Sequence, residues 1–302
     1  MRVFTPRRIA NLEPQIRDLC ARSLDALIGA DRFDLIADFG SQVPMRVISM
    51  LLGIPESDQE AVRDHADKKL RTEPGQPMRY KDASAFLSGE MFAHYIDWRA
   101  EHPSDDLMTD LLNAEFEDEN GVRRTLTRQE VLTYVEVVAG AGNETTNRLI
   151  GWMGVLLDKH PEQRAQIVED QPLVPGAVEE ILRYEPPAHH VGRYVAKDST
   201  FQGHVVPAGN IMVFLVASAN RDDTRYPDGD TFDVHRRGVT QLLTFGLGGH
   251  YCLGAALARL EGRIALEELL KRFPRWDVDY EKAKLSSTST VRGWETLPIV
   301  IT

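Results

Sequence analysis

A long run of helical periodicity near the middle of the chain limits the fold more than any other feature. Between Thr127 and His160, one helical face carries residues at alternating spacings of three and four: Leu132, Val135, Ala139, Gly142, Thr146, Leu149 and Met153. The run is about three times as long as the mean globular helix of ~11–12 residues. Thr127 and Glu130 form a capping-box pattern that predicts its start. Gly142 and Thr146 stand where a plain core helix would carry leucine, which predicts a buried helix with small residues at its centre.

The rest of the sequence indicates more helices and a smaller β part. Upstream, apolar residues at helical spacing run to Gly29 and again to Gly53, and a Ser57–Glu60 capping-box pattern predicts a further helix start. Downstream, strand-like runs broken by Pro-Ala-Gly follow residue 199, and a helix follows residue 254. The sequence therefore predicts a single domain over residues 1–302 that is mainly α with minor β (α+β).

Composition excludes several classes of function. The 302 residues carry a net charge of −11, which disfavours nucleic acid as a partner because its binding needs concentrated basic surface. We find no run approaching the roughly 18 apolar residues that span a bilayer and no secretory signal, so no membrane association is expected. The two cysteines cannot build a disulfide framework, which fits a cytoplasmic protein.

The second cysteine lies in an unusual glycine-rich segment, LTFGLGGHYCLG, residues 243–254. A thiol just before a helix meets free backbone N–H groups, which predicts a lowered pKa and a metal-ligating thiolate. Zinc would require about four ligands, and no second cysteine is near. The segment does not match a phosphate-binding glycine loop, because Tyr251 occupies the position of the third glycine in that motif. A single thiolate suits haem iron, whose porphyrin supplies four further ligands, whereas a lone cysteine is more often a small buried hydrophobe.

The segment resembles the haem-thiolate signature of the cytochrome P450 family. The matching pattern, F-x-x-G-x-H-x-C-x-G, is formed by Phe245, Gly248, His250, Cys252 and Gly254. The resemblance implies the cytochrome P450 fold and haem b (iron protoporphyrin IX), with Cys252 as the axial ligand of the iron and the other motif residues around the haem. It also implies that His250 and Arg193 donate hydrogen bonds to the haem propionates.

A second match lies in the long helix, where AGNETT spans residues 141–146. In the family this helix crosses the distal face of the haem. The resemblance implies that Ala141 and Gly142 leave room for O2, and that Glu144 and Thr145 relay the protons that cleave the O–O bond. The alternative from the residues alone is an exposed glutamate and a threonine bonded to its own helix.

Two further segments match the family. Glu180 and Arg183 lie at i, i+3 in EEILRY, where the resemblance implies a buried structural pair joined by a third residue, Arg236 or Arg237, and the sequence does not decide between these two. The segment after this helix is implied to line the substrate pocket with Ala188, His189, His190 and Val191. For the two histidines a solvent-facing position is the commoner explanation.

The resemblance implies a monooxygenase that inserts one oxygen atom of O2 into an apolar small molecule. Electrons would come from NAD(P)H through a ferredoxin or flavodoxin and its reductase, docked near Arg259, Arg263 and Lys271. Compared with the family, the sequence is expected to lack the N-terminal strands and first helices. A peroxide-using haem enzyme and a truncated fragment that binds haem weakly or catalyses nothing are the alternatives.

Overall fold

A computed structural model describes residues 4–72, 88–288 and 290–302. Within these ranges the helices are α1 Pro6–Ala10, α2 Glu13–Asp25, α3 Gln42–Leu52, α4 Gln59–Leu70, α5 Ala93–Glu101, α6 Leu107–Asn113, α7 Arg128–Lys159, α8 Pro161–Glu169, α9 Val174–Tyr184, α10 Val216–Ala219 and α11 Ala255–Arg272. A π-helical segment, Leu35–Gly40, precedes α3. The predicted capping box is confirmed, because Thr127 and Glu130 cap α7 reciprocally.

The strands are short and form small antiparallel sheets. They are β1 Arg32–Asp34, β2 Glu115–Glu117, β3 Arg123–Thr125, β4 Val191–Tyr194, β5 Ser199–Phe201, β6 His204–Val206, β7 Ile211–Phe214, β8 Trp276–Val278, β9 Lys284–Leu285, β10 Trp294–Thr296 and β11 Pro298–Ile301. In the described ranges, the order β1-β11-β8 makes one sheet, and β2–β3, β4–β7, β5–β6 and β9–β10 are pairs. β1 and β11 join the two ends of the chain, with Phe33 opposite Ile299.

Helix α7 runs through the core and packs against α3, α4, α9 and α11. Gly142 explains how α3 comes close, because a Cβ at this position would lie 2.7 Å from Cγ1 of Ile48. The small residue at the centre of the helical face is therefore used for helix packing. Helix α11, which also packs on α7, contributes Ile264 and Leu266 to the same core.

Charged side chains join α2 to α11. Arg17 donates to Glu267 at 2.6 Å and to Glu268 at 2.8 Å, and Arg263 donates to Glu13 at 2.6 Å and to Glu267 at 3.0 Å. These side chains are partly buried. The network thus neutralises the charges along this seam within the molecule.

Two expectations about the first part of the chain are wrong. We expected no run with the length and apolarity of a membrane-crossing helix, but Leu35–Leu52 has both. Of this stretch, 67% is buried inside the molecule, where its helices pack on α7. Ser57 does not cap a helix with Glu60. It lies in a 3-10 turn, Glu56–Asp58, and its Oγ donates to Asp58 at 2.8 Å, so α4 begins at Gln59.

Candidate haem-thiolate site

A tight turn carries Cys252 to the start of α11. The Cys252 N–H donates to the carbonyl oxygen of Phe245 at 2.8 Å and thereby closes the turn. Between them, Gly246 and Gly248 take φ values of +71° and +67°, a left-handed conformation that favours glycine. Gly254 is the N-cap of α11. Cys252 is exposed, whereas Cys20, the other cysteine, is buried.

The thiol of Cys252 does not have the lowered pKa that its position before a helix predicts. Loss of solvation raises the pKa of this thiol above its usual value, and this outweighs the hydrogen bond from Gly254 N–H and the charge of Arg259, which both lower it. The prediction counted the helix N-terminus and omitted desolvation by the surrounding walls.

An apolar cavity separates this turn from α7. The α7 face contributes Val138, Ala141, Gly142, Thr145, Thr146 and Leu149, and the opposite wall contains Phe245, Cys252, Leu253, Gly254, Leu257 and Ala258. Among the described residues, no group of three or more histidine, cysteine or acidic side chains could hold a metal ion. A lone thiol at an apolar wall fits a planar metal cofactor that brings its remaining ligands with it. A Cβ at Gly248 would meet nothing within 4 Å, so the turn also leaves open space.

The two neighbouring residues of the predicted proton relay face different spaces. Thr145 lines the cavity, and its Oγ1 donates to the carbonyl oxygen of Ala141 at 2.7 Å. Glu144 points from a different face of α7 into a polar cleft, where its Oε2 accepts a hydrogen bond from Arg148 at 2.6 Å. Other residues that line the cleft are Arg63, Asp64, Arg71, Asn147, Ser286 and Glu295.

Comparison with known proteins places this arrangement in a family. A family model described as cytochrome P450 matches residues 78–298. A putative cytochrome P450 123 of Mycobacterium tuberculosis (strain ATCC 25618 / H37Rv) is 38% identical over 301 residues, 99% of this chain and 73% of that protein. The monooxygenase PikC of Streptomyces venezuelae is 37% identical over 303 residues, 99% of this chain and 71% of that protein.

The chain belongs to the cytochrome P450 family. Cytochrome P450 CYP109Q5 from Chondromyces apiculatus, a solved structure, matches with a TM-score of 0.86 at 36% identity, over 100% of this chain and 74% of that one. The predicted fold, mainly α with minor β, is confirmed, and relatives named as monooxygenases and hydroxylases make the chain an oxidoreductase of the haem-thiolate monooxygenase type.

The glutamate–arginine pair of this P450 is fully buried. Arg183 donates twice to the Glu180 carboxylate, with both distances 2.7 Å. Arg236 is the third partner, since its Nε donates to Glu180 at 3.2 Å, whereas Arg237 is exposed. Arg183 also donates to the Asn220 carbonyl at 2.9 Å. The cluster therefore fixes the irregular segment that leads into the cysteine turn.

The residues expected near the propionates and the substrate are only partly brought to the cavity. Ala188 lines it. His189 lies 3.4 Å from Glu185, and His190 is exposed. Val191 begins β4 and pairs with Phe214. Arg193 and His250 are exposed and are not among the cavity-lining residues, and Arg193 donates to the neighbouring Gly192 carbonyl at 2.8 Å.

Two of the arginines expected to dock an electron donor form ion pairs within the molecule. Arg263 pairs with Glu13 and Glu267, as described above, and Arg259 donates to both carboxylate oxygens of Glu179. Lys271 is exposed. The charges of both arginines are thus paired within the molecule, although their side chains stay partly exposed, and donor docking on this face stays a prediction.

Sequence reasoning missed three residues that shape the site. Arg148 holds Glu144, and the i, i+4 spacing could have revealed it. Ile48 lines the cavity from α3, which no local pattern indicates. Glu261 on α11 also lines the cavity, is fully buried, and has a pKa raised well above its usual value by burial.

Proposed function

We propose that this P450 inserts one oxygen atom of O2 into an apolar small molecule, with Cys252 as the axial thiolate ligand of haem b. The observation that carries the proposal is the apolar cavity with Cys252 on one wall and the α7 face around Thr145 on the other. When bound, the haem supplies the redox chemistry that activates oxygen.

The residues of the chain hold and enclose the cofactor. Cys252 would hold the iron, Phe245 and Gly254 line the cavity beside it, and Gly248 in the turn leaves open space. Arg193 and His250 are the proposed propionate donors, since arginine presents a fork that matches a carboxylate. Both lie at exposed positions.

The substrate is proposed to be apolar because the walls above Cys252 are. Ile48, Leu149, Leu182 and Pro187 lie there beside Ala188. The relatives support a small organic molecule as substrate. The erythromycin C-12 hydroxylase of Saccharopolyspora erythraea is 37% identical to this chain, and a solved structure of a mutant of P450 EryK, 33% identical, contains erythromycin B.

Protons are proposed to come from the cleft side of α7. Glu144 takes up a proton from water in the polar cleft, and Thr145 accepts a hydrogen bond inside the cavity. Its own proton is donated to Ala141, which leaves the oxygen lone pairs of Thr145 as acceptors. Because the two side chains face different spaces, transfer between them requires an ordered water or a turn of the Glu144 side chain.

Electrons are proposed to come from NAD(P)H through a ferredoxin or flavodoxin and its reductase. Two free cysteines fit a reducing compartment. We therefore propose that the chain works in the cytoplasm.

The absorption spectrum of the reduced, CO-bound chain tests the proposal. A red-shifted Soret band is expected in the wild type and in Cys20→Ala, which removes only the buried thiol. The band should be lost in Cys252→Ala. If the red-shifted band persists in Cys252→Ala, or if the wild type takes up no haem, the proposed function is wrong.

A further inference from the structure

Arg259 on α11 contacts both ends of the turn that carries Cys252. Its Nη1 donates to the hydroxyl oxygen of Tyr251 at 3.2 Å, and its guanidinium carbon lies 4.3 Å from the centroid of the Phe245 ring. Phe245 is also the residue whose carbonyl accepts the Cys252 N–H. The Arg259 side chain thus contacts Phe245, which begins the turn, and Tyr251, which directly precedes Cys252.

The same arginine is anchored to a second helix. Its Nε and Nη2 donate to Oε1 and Oε2 of Glu179 on α9, at 2.5 and 3.1 Å. The Glu179 side chain is 11% exposed and the Arg259 side chain 30% exposed. A bidentate arginine–carboxylate pair fixes both distance and plane. The position of the guanidinium is therefore set by α9, independently of the turn.

All three guanidinium nitrogens of Arg259 donate within the molecule, which separates this residue from an ordinary solvated charge. We propose that Arg259 is a positioning residue: through Phe245 and Tyr251 it holds the turn in the conformation in which Cys252 faces the cavity. The inference rests on the proposed role of Cys252 as iron ligand. It assigns the arginine to the ordering of the ligand turn.

The Arg259→Lys variant distinguishes a positioning role of the side chain from an effect of its charge alone. Arg259→Lys keeps the positive charge but loses the planar fork that pairs with Glu179 and stacks on Phe245. Arg259→Gln loses both. If only the charge mattered, lysine would restore the wild-type behaviour. If the side chain positions the turn, lysine and glutamine behave alike.

Hydrogen exchange on the purified full chain without haem reports the turn directly, because the exchange rate of the peptide covering residues 245–252 follows its opening. We expect this rate to rise about fivefold or more in Arg259→Lys and Arg259→Gln, as for a turn that opens more readily. Tyr251→Phe, which removes one hydrogen bond, should show a smaller rise.

Arg263→Gln is the matched control. Arg263 lies one turn further along α11 and is likewise paired with two glutamates, but these lie on α2 and α11. Its replacement should lower the melting temperature to a similar extent and leave exchange in residues 245–252 at the wild-type rate. Equal acceleration in Arg263→Gln would mean that Arg259 acts only through general stability, which overturns the proposal.

The haem-loaded chain gives a second readout. Arg259→Lys and Arg259→Gln should show a smaller fraction of the red-shifted Soret band in the reduced CO complex than Arg263→Gln. A wild-type fraction and wild-type exchange in Arg259→Lys would overturn the positioning role. If the wild type itself shows no such band, the proposed function fails, and the exchange comparison still decides whether Arg259 orders the turn.

Discussion

Glu144 and Arg148 form a buried ion pair one turn apart on α7, with 2.6 Å between Oε2 and Nη2 and side-chain exposures of 4% and 5%. Arg148 also donates to Ser286 at 3.1 Å and to the carbonyl oxygen of Trp294. The pair therefore ties the centre of the long helix to the β9–β10 hairpin. It also holds the acid of the proposed relay at the polar cleft, away from the cavity that contains Thr145.

Replacing Arg148 by methionine should destabilise the chain strongly. The variant leaves the Glu144 carboxylate buried without its cation, and breaking a buried pair in this way costs about 3–5 kcal/mol. Urea unfolding followed by circular dichroism measures the loss. The double variant Glu144→Gln/Arg148→Met removes both charges and should lie closer to the wild type. A double variant at least as unstable as Arg148→Met would contradict this account.

Gly142 should not tolerate alanine, although it lies in a helix. A Cβ there would approach Ile48, and overpacking of this kind costs about 1–3 kcal/mol. The control is Gly140→Ala, since a Cβ at Gly140 meets nothing within 4 Å. It should gain up to about 1 kcal/mol from helix propensity. In thermal unfolding, Gly142→Ala should cost less in an Ile48→Ala background than in the wild type, because alanine lacks both the Cγ1 and the Cδ1 atom that obstruct the new Cβ.

The sequence predicts those features that depend on local spacing. The start of α7 follows from Thr127 and Glu130, and contact between Glu180 and Arg183 follows from their i, i+3 positions. The direction of Glu144 does not follow, because adjacent helical residues point about 100° apart and only the tertiary fold shows which space each meets.

Features that depend on packing between distant segments could not be predicted. Ile48 takes the space beside Gly142 because α3 crosses α7 at that point. The pKa of Cys252 is raised because partial burial removes solvent, an effect that outweighs the backbone hydrogen bond from Gly254 and the charge of Arg259. The two adjacent arginines could not be separated either, since the turn after Asp233 decides which one reaches Glu180.

Arg236 and Arg237 should differ sharply in their effect on stability. Arg236→Gln removes a donor from Glu180, which is fully buried, and from the carbonyls of Pro227, Asp228 and Thr231. Because Glu180 keeps its two hydrogen bonds from Arg183, we expect a loss of about 1–3 kcal/mol in the free energy of unfolding. Arg237 is exposed, so Arg237→Gln should change it by no more than about 0.5 kcal/mol. Equal losses in the two variants would remove Arg236 from the cluster.

The cap of α7 should contribute to the acid sensitivity of the fold. Hydrogen bonds from Arg124, and then from Thr127, lower the pKa of Glu130 from its usual 4.5 to about 2. Because the folded-state pKa is the lower one, the contribution of Glu130 to stability is complete above pH 4.5 and disappears as the pH falls toward 2. Urea unfolding of wild type and Glu130→Gln across this range should give curves that converge at low pH. A constant difference between them would contradict the assignment.

Removing the Thr145 hydroxyl should uncouple electron consumption from product formation. Thr145→Val keeps the side-chain shape but removes the oxygen that is proposed to accept a hydrogen bond in the cavity, so the proton needed there arrives late and reduced oxygen leaves as peroxide. The measurement is the ratio of hydrogen peroxide to NAD(P)H consumed, with a surrogate ferredoxin and reductase and an apolar test substrate. Thr146→Val is the control, since Thr146 is the next residue on the same cavity wall but is not part of the proposed relay. We expect the ratio to rise several-fold in Thr145→Val alone. Full coupling in Thr145→Val would exclude its hydroxyl from proton delivery, and equal uncoupling in both variants would point to lost packing around the cavity instead.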